Sequence, residues 1–289
     1  MATELMQEIP IGEQGLYSLR KILIAHDFSE SANRALTDAM ALASRFHAEI
    51  VIAHVEPFDF GSNPLHKHVC SDLENLRQHL TSAGHQCKNV LRSGHVAKTL
   101  TEVLDEEHPD LLLLGAYGHG SQVRETLGST AERLLRSVPC PILTYGPKET
   151  KSLAHDGKPM SILVPIELPC SEGYLGFAVS VAKLFNAKLE ILHVVDMGHT
   201  ISLPHAYQDV QYTCEEIACH LRTGGTQVSG SLLFGKPSDA IISRSQELRS
   251  SLILMPLETR RFLSSKVSDN VAAEVIRHAE VPVMTYRLD

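Results

Sequence analysis

Apolar residues fall into short unbroken runs, separated by longer stretches in which they recur every three or four positions. The first run is residues 21–25 (KILIA), and residues 49–55 (EIVIAHV), 110–114 (DLLLL) and 138–143 (VPCPIL) continue the series. Runs without in–out alternation suit strands buried on both faces, and the stretches between them have helical period. With a further segment ending at Leu91-Arg-Ser-Gly94, where the glycine opens a helical stretch, the pattern predicts β-α-β-α-β-α-β-α-β over residues 19–147.

The series then begins again. Residues 161–165 (SILVP), 188–194 (KLEILHV), 251–255 (SLILM) and 279–284 (AEVPVM) repeat the four runs. An acidic residue follows each opening run two positions on, Asp27 and Glu167, and His54 and His193 occupy the same place in the second run. From Gly94 and Gly235 onward the two copies keep a constant offset of 141 residues. Such a register marks a tandem duplication. The expected organisation is a first domain at 19–147, a polar linker at 148–159 containing Gly157 and Pro159, and a second domain at 160–289. Residues 1–18 show no periodicity. The fold class is α/β: two tandem Rossmann-like domains, each a five-stranded parallel sheet flanked by helices on both faces, with right-handed crossovers.

Composition narrows the function classes. The 289 residues are 43% hydrophobic and 21% charged, as in a core-forming globular chain, and the net charge is −8. An acidic balance argues against a nucleic-acid or anionic-membrane partner, though local dipoles could still hold a small anion. Residues 1–20 carry Glu4, Glu8 and Glu13 and no apolar core of a signal peptide, and no run approaches the roughly 20 apolar residues of a membrane span. The six cysteines are scattered with no CxxC pair, so the expectation is a cytoplasmic protein with reduced thiols.

The DLLLL run leads directly into a glycine-rich segment holding Gly115, Gly118, His119 and Gly120, and then Gly128, Ser129 and Thr130 before a helical stretch. Glycines after a parallel strand let the backbone turn sharply and bring bare N–H groups toward an anion. A helix opening on Gly-Ser-Thr adds uncommitted amides, the positive end of the helix dipole and two hydroxyls. No Walker A sequence occurs in the chain. The spacing G-x2-G-x9-G-S resembles the ATP-binding loop of the universal stress protein family, and the ILIAHDFSESANRAL opening, the IAHV strand and the VPCPIL ending agree with it.

The resemblance covers nearly the whole chain as a tandem pair. It implies ATP, with or without a magnesium ion, as the cofactor of the first copy. By the same resemblance, Asp27 lies near the ribose and adenine, Ala25 lines the pocket, and main chain at Val55 meets the adenine edge. Gly115, Gly118, Gly128, Ser129 and Thr130 hold phosphates, with His119 beside them in the loop. It further implies an adenine nucleotide as ligand, domains that pack through their terminal strands, a homodimer of the tandem chain and an unidentified protein partner.

The second copy has lost the loop. At the constant offset, Pro256, Thr259, Asp269 and Asn270 stand where the first copy has Gly115, Gly118, Gly128 and Ser129, and Glu167 replaces Asp27. Proline removes a donor, and Asp269 sets a negative charge where a phosphate would be. One nucleotide site per chain is expected. Arg260 and Arg261 read as solvated surface charge. His66, His68 and Cys70 form a cluster in which only His66 and Cys70 share a helix face, a possible zinc pair without further ligands, and Cys214, Cys219 and His220 are a weaker one. His54 and His193 read as core histidines with satisfied hydrogen bonds. No nucleophile–base or paired-carboxylate motif stands out. The reading is a nucleotide-dependent regulatory or interaction module. The alternatives are a slow ATPase using the same pocket, and a carrier or interaction protein whose second half binds a different ligand.

Overall fold

A computed structural model of the chain describes residues 17–57, 64–118, 127–153, 160–196, 204–222, 225–258 and 271–288. The first repeat runs β1 (Lys21–Ala25), α1 (Glu30–Phe46), β2 (Glu49–Glu56), α2 (Pro64–Ser82), β3 (Cys87–Ser93), α3 (Val96–Glu107), β4 (Leu111–Gly115), α4 (Ser129–Ser137) and β5 (Ile142–Tyr145). The second runs β6 (Ser161–Ile166), α5 (Glu172–Phe185), β7 (Lys188–Val195), α6 (Pro204–Leu221), β8 (Val228–Phe234), α7 (Pro237–Glu247), β9 (Leu252–Glu258), α8 (Val271–His278) and β10 (Val283–Leu288). The alternation read from the sequence is present in both copies.

Two compact units result. One combines Leu19–His155 with Leu257–Arg287, and the other is built on Asp156–Pro256. In the first the strand order is β3-β2-β1-β4-β5-β10, and in the second β9-β6-β7-β8. Strands β1 to β5 are parallel to their neighbours, in register from Lys21↔Glu49 to Ala25↔Ala53 and from Ile22↔Leu111 to Ala25↔Leu114. The sheet is thus mostly parallel. The departure is β10, the last strand of the second repeat, which pairs antiparallel with β5 through Val283↔Thr144 and Thr285↔Ile142. The two VP-initiated terminal strands therefore meet each other.

Local sequence explains the main elements. Strand β1 is buried on both faces at Ile22, Leu23 and Ile24. Helix α1 starts where Ser29 Oγ accepts a hydrogen bond from Ala32 N (3.2 Å), and it ends at His47 in left-handed backbone. Its buried face is mostly alanine and leucine at helical spacing, so it lies close to the sheet. Asp38 interrupts that face. Its carboxylate accepts hydrogen bonds from Tyr145 Oη (2.9 Å), Leu153 N (3.0 Å) and Ser152 Oγ, so the buried charge is satisfied. Residues 148–153, expected within the linker, are held down by these contacts and by Thr150 N donating to Glu280 O (3.1 Å). Beside them Arg34 pairs with Glu149 at 3.0 Å. Burial pushes the Glu149 carboxyl up to about 7 against the opposing pull of Arg34, with Asp38 adding to the rise.

Candidate functional site

The site is built at the carboxyl ends of β1, β2 and β4, where a parallel sheet offers a crevice for ligands. Strand β1 stops at Ala25, in register with Ala53 on one side and Leu114 on the other. Strand β2 continues past that point to Glu56, so His54, Val55 and Glu56 extend beyond the β1 ladder. Val55 is buried. His54 Nδ1 is 2.6 Å from His26 O, and His193 Nδ1 is 3.0 Å from Ile166 O in the second repeat. The two repeat-matched histidines therefore bind main-chain carbonyls next to the opening strand of each copy; their hydrogen bonds are satisfied as expected, but both are half-buried and not in the core.

Asp27 sits in the turn after β1. Its Oδ1 accepts from Ser29 N (3.0 Å), and the next residue, Phe28, has left-handed backbone at φ 63°. That conformation is costly for a bulky residue and persists only where neighbours fix it. Here the Phe28 ring packs edge-on to His26 at 5.0 Å and against His54 at 5.1 Å. His26 is buried, and burial lowers its pKa although Asn33 and Asp27 pull the other way, so the imidazole is neutral near pH 7. Neither His26 nor Phe28 was singled out in the sequence. The signal for His26 was its place directly before Asp27, whereas the backbone sign of Phe28 has no sequence mark.

The glycines of the loop serve close approach, and none of the three described ones has positive φ. A methyl group at Gly115 would fall 2.2 Å from Ser31 Oγ, on the first turn of α1. The reason for glycine there is thus packing of α1 against the strand end, where open space for a ligand was expected. Ser31 Oγ also donates to Tyr117 O (3.3 Å), which pins the start of the loop to α1. At Gly118 an added Cβ would lie 3.1 Å from Asp27 Oδ2, and at Gly128 it would lie 3.0 Å from Ala116 O. Gly118 therefore lets the loop rest against the Asp27 carboxylate. Gly128 N donates to Ala116 O (2.9 Å), closing the base of the loop. His119 lies outside the described residues, as do Thr259, Arg260, Arg261, Asp269 and Asn270 of the second repeat.

Helix α4 begins at Ser129 with Gly128 as its N-cap, and among the described residues no side-chain cap hydrogen bond is made to its first turn. The first-turn amides and the Ser129 and Thr130 hydroxyls are consequently available at the positive end of the helix. Ser129 and Thr130 line a cleft of about 350 Å³ together with His95, Arg133 and Arg136. Arg133 Nη1 lies 3.1 Å from His95 Nε2, and Arg136 is paired with Glu132 at 2.6 Å. Arg133 and His95 were missed in the sequence reading. Arg133 could have been found as the residue one helical turn beyond Ser129. The structure therefore groups Ala25, Asp27, Gly115 and Gly118 at the strand ends, with Gly128, Ser129 and Thr130 at the closing helix.

The described residues of the second repeat differ at the strand end and at the facing helix. Strand β9 runs through Pro256 to Glu258, beyond the position at which β4 gives way to the loop. The fully buried Tyr174 of α5 donates its hydroxyl to Leu254 O (2.6 Å), with Pro165 O at 3.4 Å. Its hydroxyl is thereby fixed on carbonyls of both β6 and β9. Glu167 is exposed.

A parallel sheet with a glycine loop leading to an uncapped helix defines a Rossmann-like ligand-binding class. The sequence profile described as "Universal stress protein family" matches residues 18–145 and again 160–287, so the chain belongs to that family. Among its relatives is the Synechocystis universal stress protein Slr1230, 27% identical over 184 residues, an alignment covering 62% of this chain and 58% of that protein. This chain thus matches little more than half of that relative's length. A universal stress protein from Archaeoglobus fulgidus has the same overall fold, with a TM-score of 0.71 at 19% identity, over 92% of this chain and 98% of its own. A second structure from that organism, solved in complex with dAMP, aligns with 44% of this chain and 96% of its own at 24% identity and a TM-score of 0.36. Among the described residues no helix is long and apolar enough to cross a membrane, no group of three or more metal-binding side chains occurs, and all six cysteines are free.

Proposed function

We propose that the first repeat binds one adenine nucleotide, with ATP as the ligand its loop fits. Its occupancy would govern contacts with a protein partner. The observation that carries this reading is the pairing of the uncapped α4 N-terminus at Gly128 with the Gly118–Asp27 contact on the opposite side of the loop base. One end offers donors for phosphate, and the other a carboxylate able to accept hydrogen bonds from a ribose. Val55, on the part of β2 that outruns β1, supplies main chain for an adenine edge. A magnesium ion bridging the phosphates is compatible with this reading and not required by it. The second repeat, with Tyr174 at the strand ends and Pro256 in a continuing strand, would not take a nucleotide.

The test is to denature purified full-length protein and identify released small molecules by mass spectrometry, then to titrate stripped protein with ATP. Recovery or binding of an adenine nucleotide supports the proposal. The absence of both recovery and binding at millimolar ATP overturns it. Metal-dependent turnover above the buffer rate would replace the regulatory reading with the slow-ATPase one. Assembly into homodimers is part of the same proposal and is read by light scattering.

A further inference from the structure

A second group of reactive side chains stands apart from the loop. Glu56, the last residue of β2, is 2% exposed. His66, on the first turn of α2, places Nδ1 2.6 Å from Glu56 Oε2. On its other side, His66 Nε2 lies 3.5 Å from the sulfur of Cys70, one helical turn further on and exposed. The three residues form a line: buried carboxylate, imidazole, thiol. A carboxylate at Nδ1 fixes the proton on that nitrogen, which leaves Nε2 as an acceptor facing the S–H group. A nucleophile, a base and an orienting acid in this order are the elements of an activated side-chain nucleophile.

Four of the other five cysteines set the contrast. Burial pushes the thiols of Cys87 and Cys214 up to about 11 and that of Cys140 up to about 12, so they stay protonated and inert. Cys219 is exposed and has no histidine hydrogen bond among the described residues. The zinc-pair reading of His66 and Cys70 lacks further protein ligands among the described residues.

We propose that Cys70 is a reactive thiol whose substrate class is a hydroperoxide, with His66 as base and Glu56 as its positioning residue. The Cys70 proton passes to His66 Nε2, and the thiolate attacks the outer oxygen of the peroxide. An S–O bond forms and the O–O bond breaks. The leaving alkoxide or hydroxide takes the proton back from His66 Nε2. Sulfur is oxidised to a sulfenic acid, and the peroxide is reduced by two electrons to an alcohol or water. The inference is independent of the nucleotide reading.

The experiment treats the full chain with hydrogen peroxide, traps sulfenic acid with dimedone and reads each cysteine peptide by mass spectrometry against time. Cys70 should label faster than Cys219 by about tenfold or more, the scale of a positioned proton acceptor. His66→Ala and the near-isosteric Glu56→Gln should each bring Cys70 down toward the Cys219 rate; Glu56→Gln should keep a melting midpoint close to that of the parent, while His66→Ala, which strips the buried Glu56 of its partner, should melt lower. Equal rates for Cys70 and Cys219 in the parent, or a His66→Ala variant as fast as the parent, would overturn the proposal. So would zinc that co-purifies at one ion per chain and blocks labelling, since the pair would then be a metal site.

Discussion

The two repeats carry the same alternation of strands and helices, yet they differ where β4 and β9 end. In the first, the strand stops at Gly115, α1 closes in through Ser31, and the chain departs into a loop that returns at Gly128. In the second, the strand continues through Pro256, and Tyr174 binds the carbonyl of Leu254. The difference teaches that losing a binding loop took more than exchanging glycines. A tyrosine hydroxyl from the neighbouring helix is also seated on the main-chain carbonyls of Pro165 and Leu254. Restoring a site in the second repeat would require undoing both, so Pro256→Gly alone should not create one.

The largest effect should come from importing the second repeat's aspartate into the first. Gly128→Asp places a carboxylate at the N-cap of α4, where it would take the first-turn amides and repel phosphate. Nucleotide affinity should fall by about a hundredfold or more, and because the added Cβ meets Ala116 O at 3.0 Å the thermal midpoint should fall modestly, with circular dichroism confirming a folded variant. Affinity preserved in a folded variant would mean that α4 does not hold the phosphates.

Two carboxylates, each paired with its own arginine, Glu149 with Arg34 and Glu190 with Arg244, have pKa values shifted in opposite directions. Glu149 in the first unit has its pKa raised to about 7, chiefly by burial, against an ordinary 4.5. The folded state therefore holds the extra proton between these values, and stability should decline as pH rises from about 4.5 through about 7, by up to about 3 kcal/mol. Burial also opposes ionisation of Glu190 in the second unit, but hydrogen bonds from Ser229 and Arg244 outweigh it and lower its pKa. Its contribution is present above about 4.5 and is lost as pH falls through the folded value. Denaturant melts of Glu149→Gln should lose the first slope and keep the second. An unchanged pH profile would contradict the assignment.

A smaller loss is expected from Asp27→Ala, which removes the proposed ribose contact and should weaken nucleotide binding by roughly 1.5–3 kcal/mol. Circular dichroism should be unaltered, because Asp27 lies in a half-buried turn. Unfolding would show that its hydrogen bond to Ser29 N is structural. Gly115→Ala should act first on stability, by about 1–3 kcal/mol, because its methyl meets Ser31. Adding Ser31→Ala should recover part of that loss. A Gly115→Ala protein of unchanged stability that fails to bind nucleotide would return the glycine to a direct role at the ligand.

Much of this was legible in the sequence, and the illegible parts share a cause. Unbroken apolar runs at constant offset gave the strands and the duplication, and the glycine spacing located the loop. Apolar character does not encode strand direction, so nothing in VPVMTY distinguishes the antiparallel pairing of β10 with β5 from a parallel one. The contact between Ser31 and Gly115 joins residues 84 positions apart, and spacing rules are blind at that range. Left-handed backbone at Phe28 depends on its packing against His26 and His54, not on its identity. The His66–Cys70 spacing was visible, but Glu56, which turns the pair into a relay, reaches it from a different strand.

The central claim is one nucleotide site per tandem chain, in the first repeat. Isothermal titration of nucleotide-free protein with ATP tests it most directly, run on the parent and on Gly128→Asp. One ATP per chain is expected in the parent, and an affinity at least about a hundredfold weaker in the variant. Two equivalent sites in the parent, or a site that survives Gly128→Asp undiminished, would contradict it.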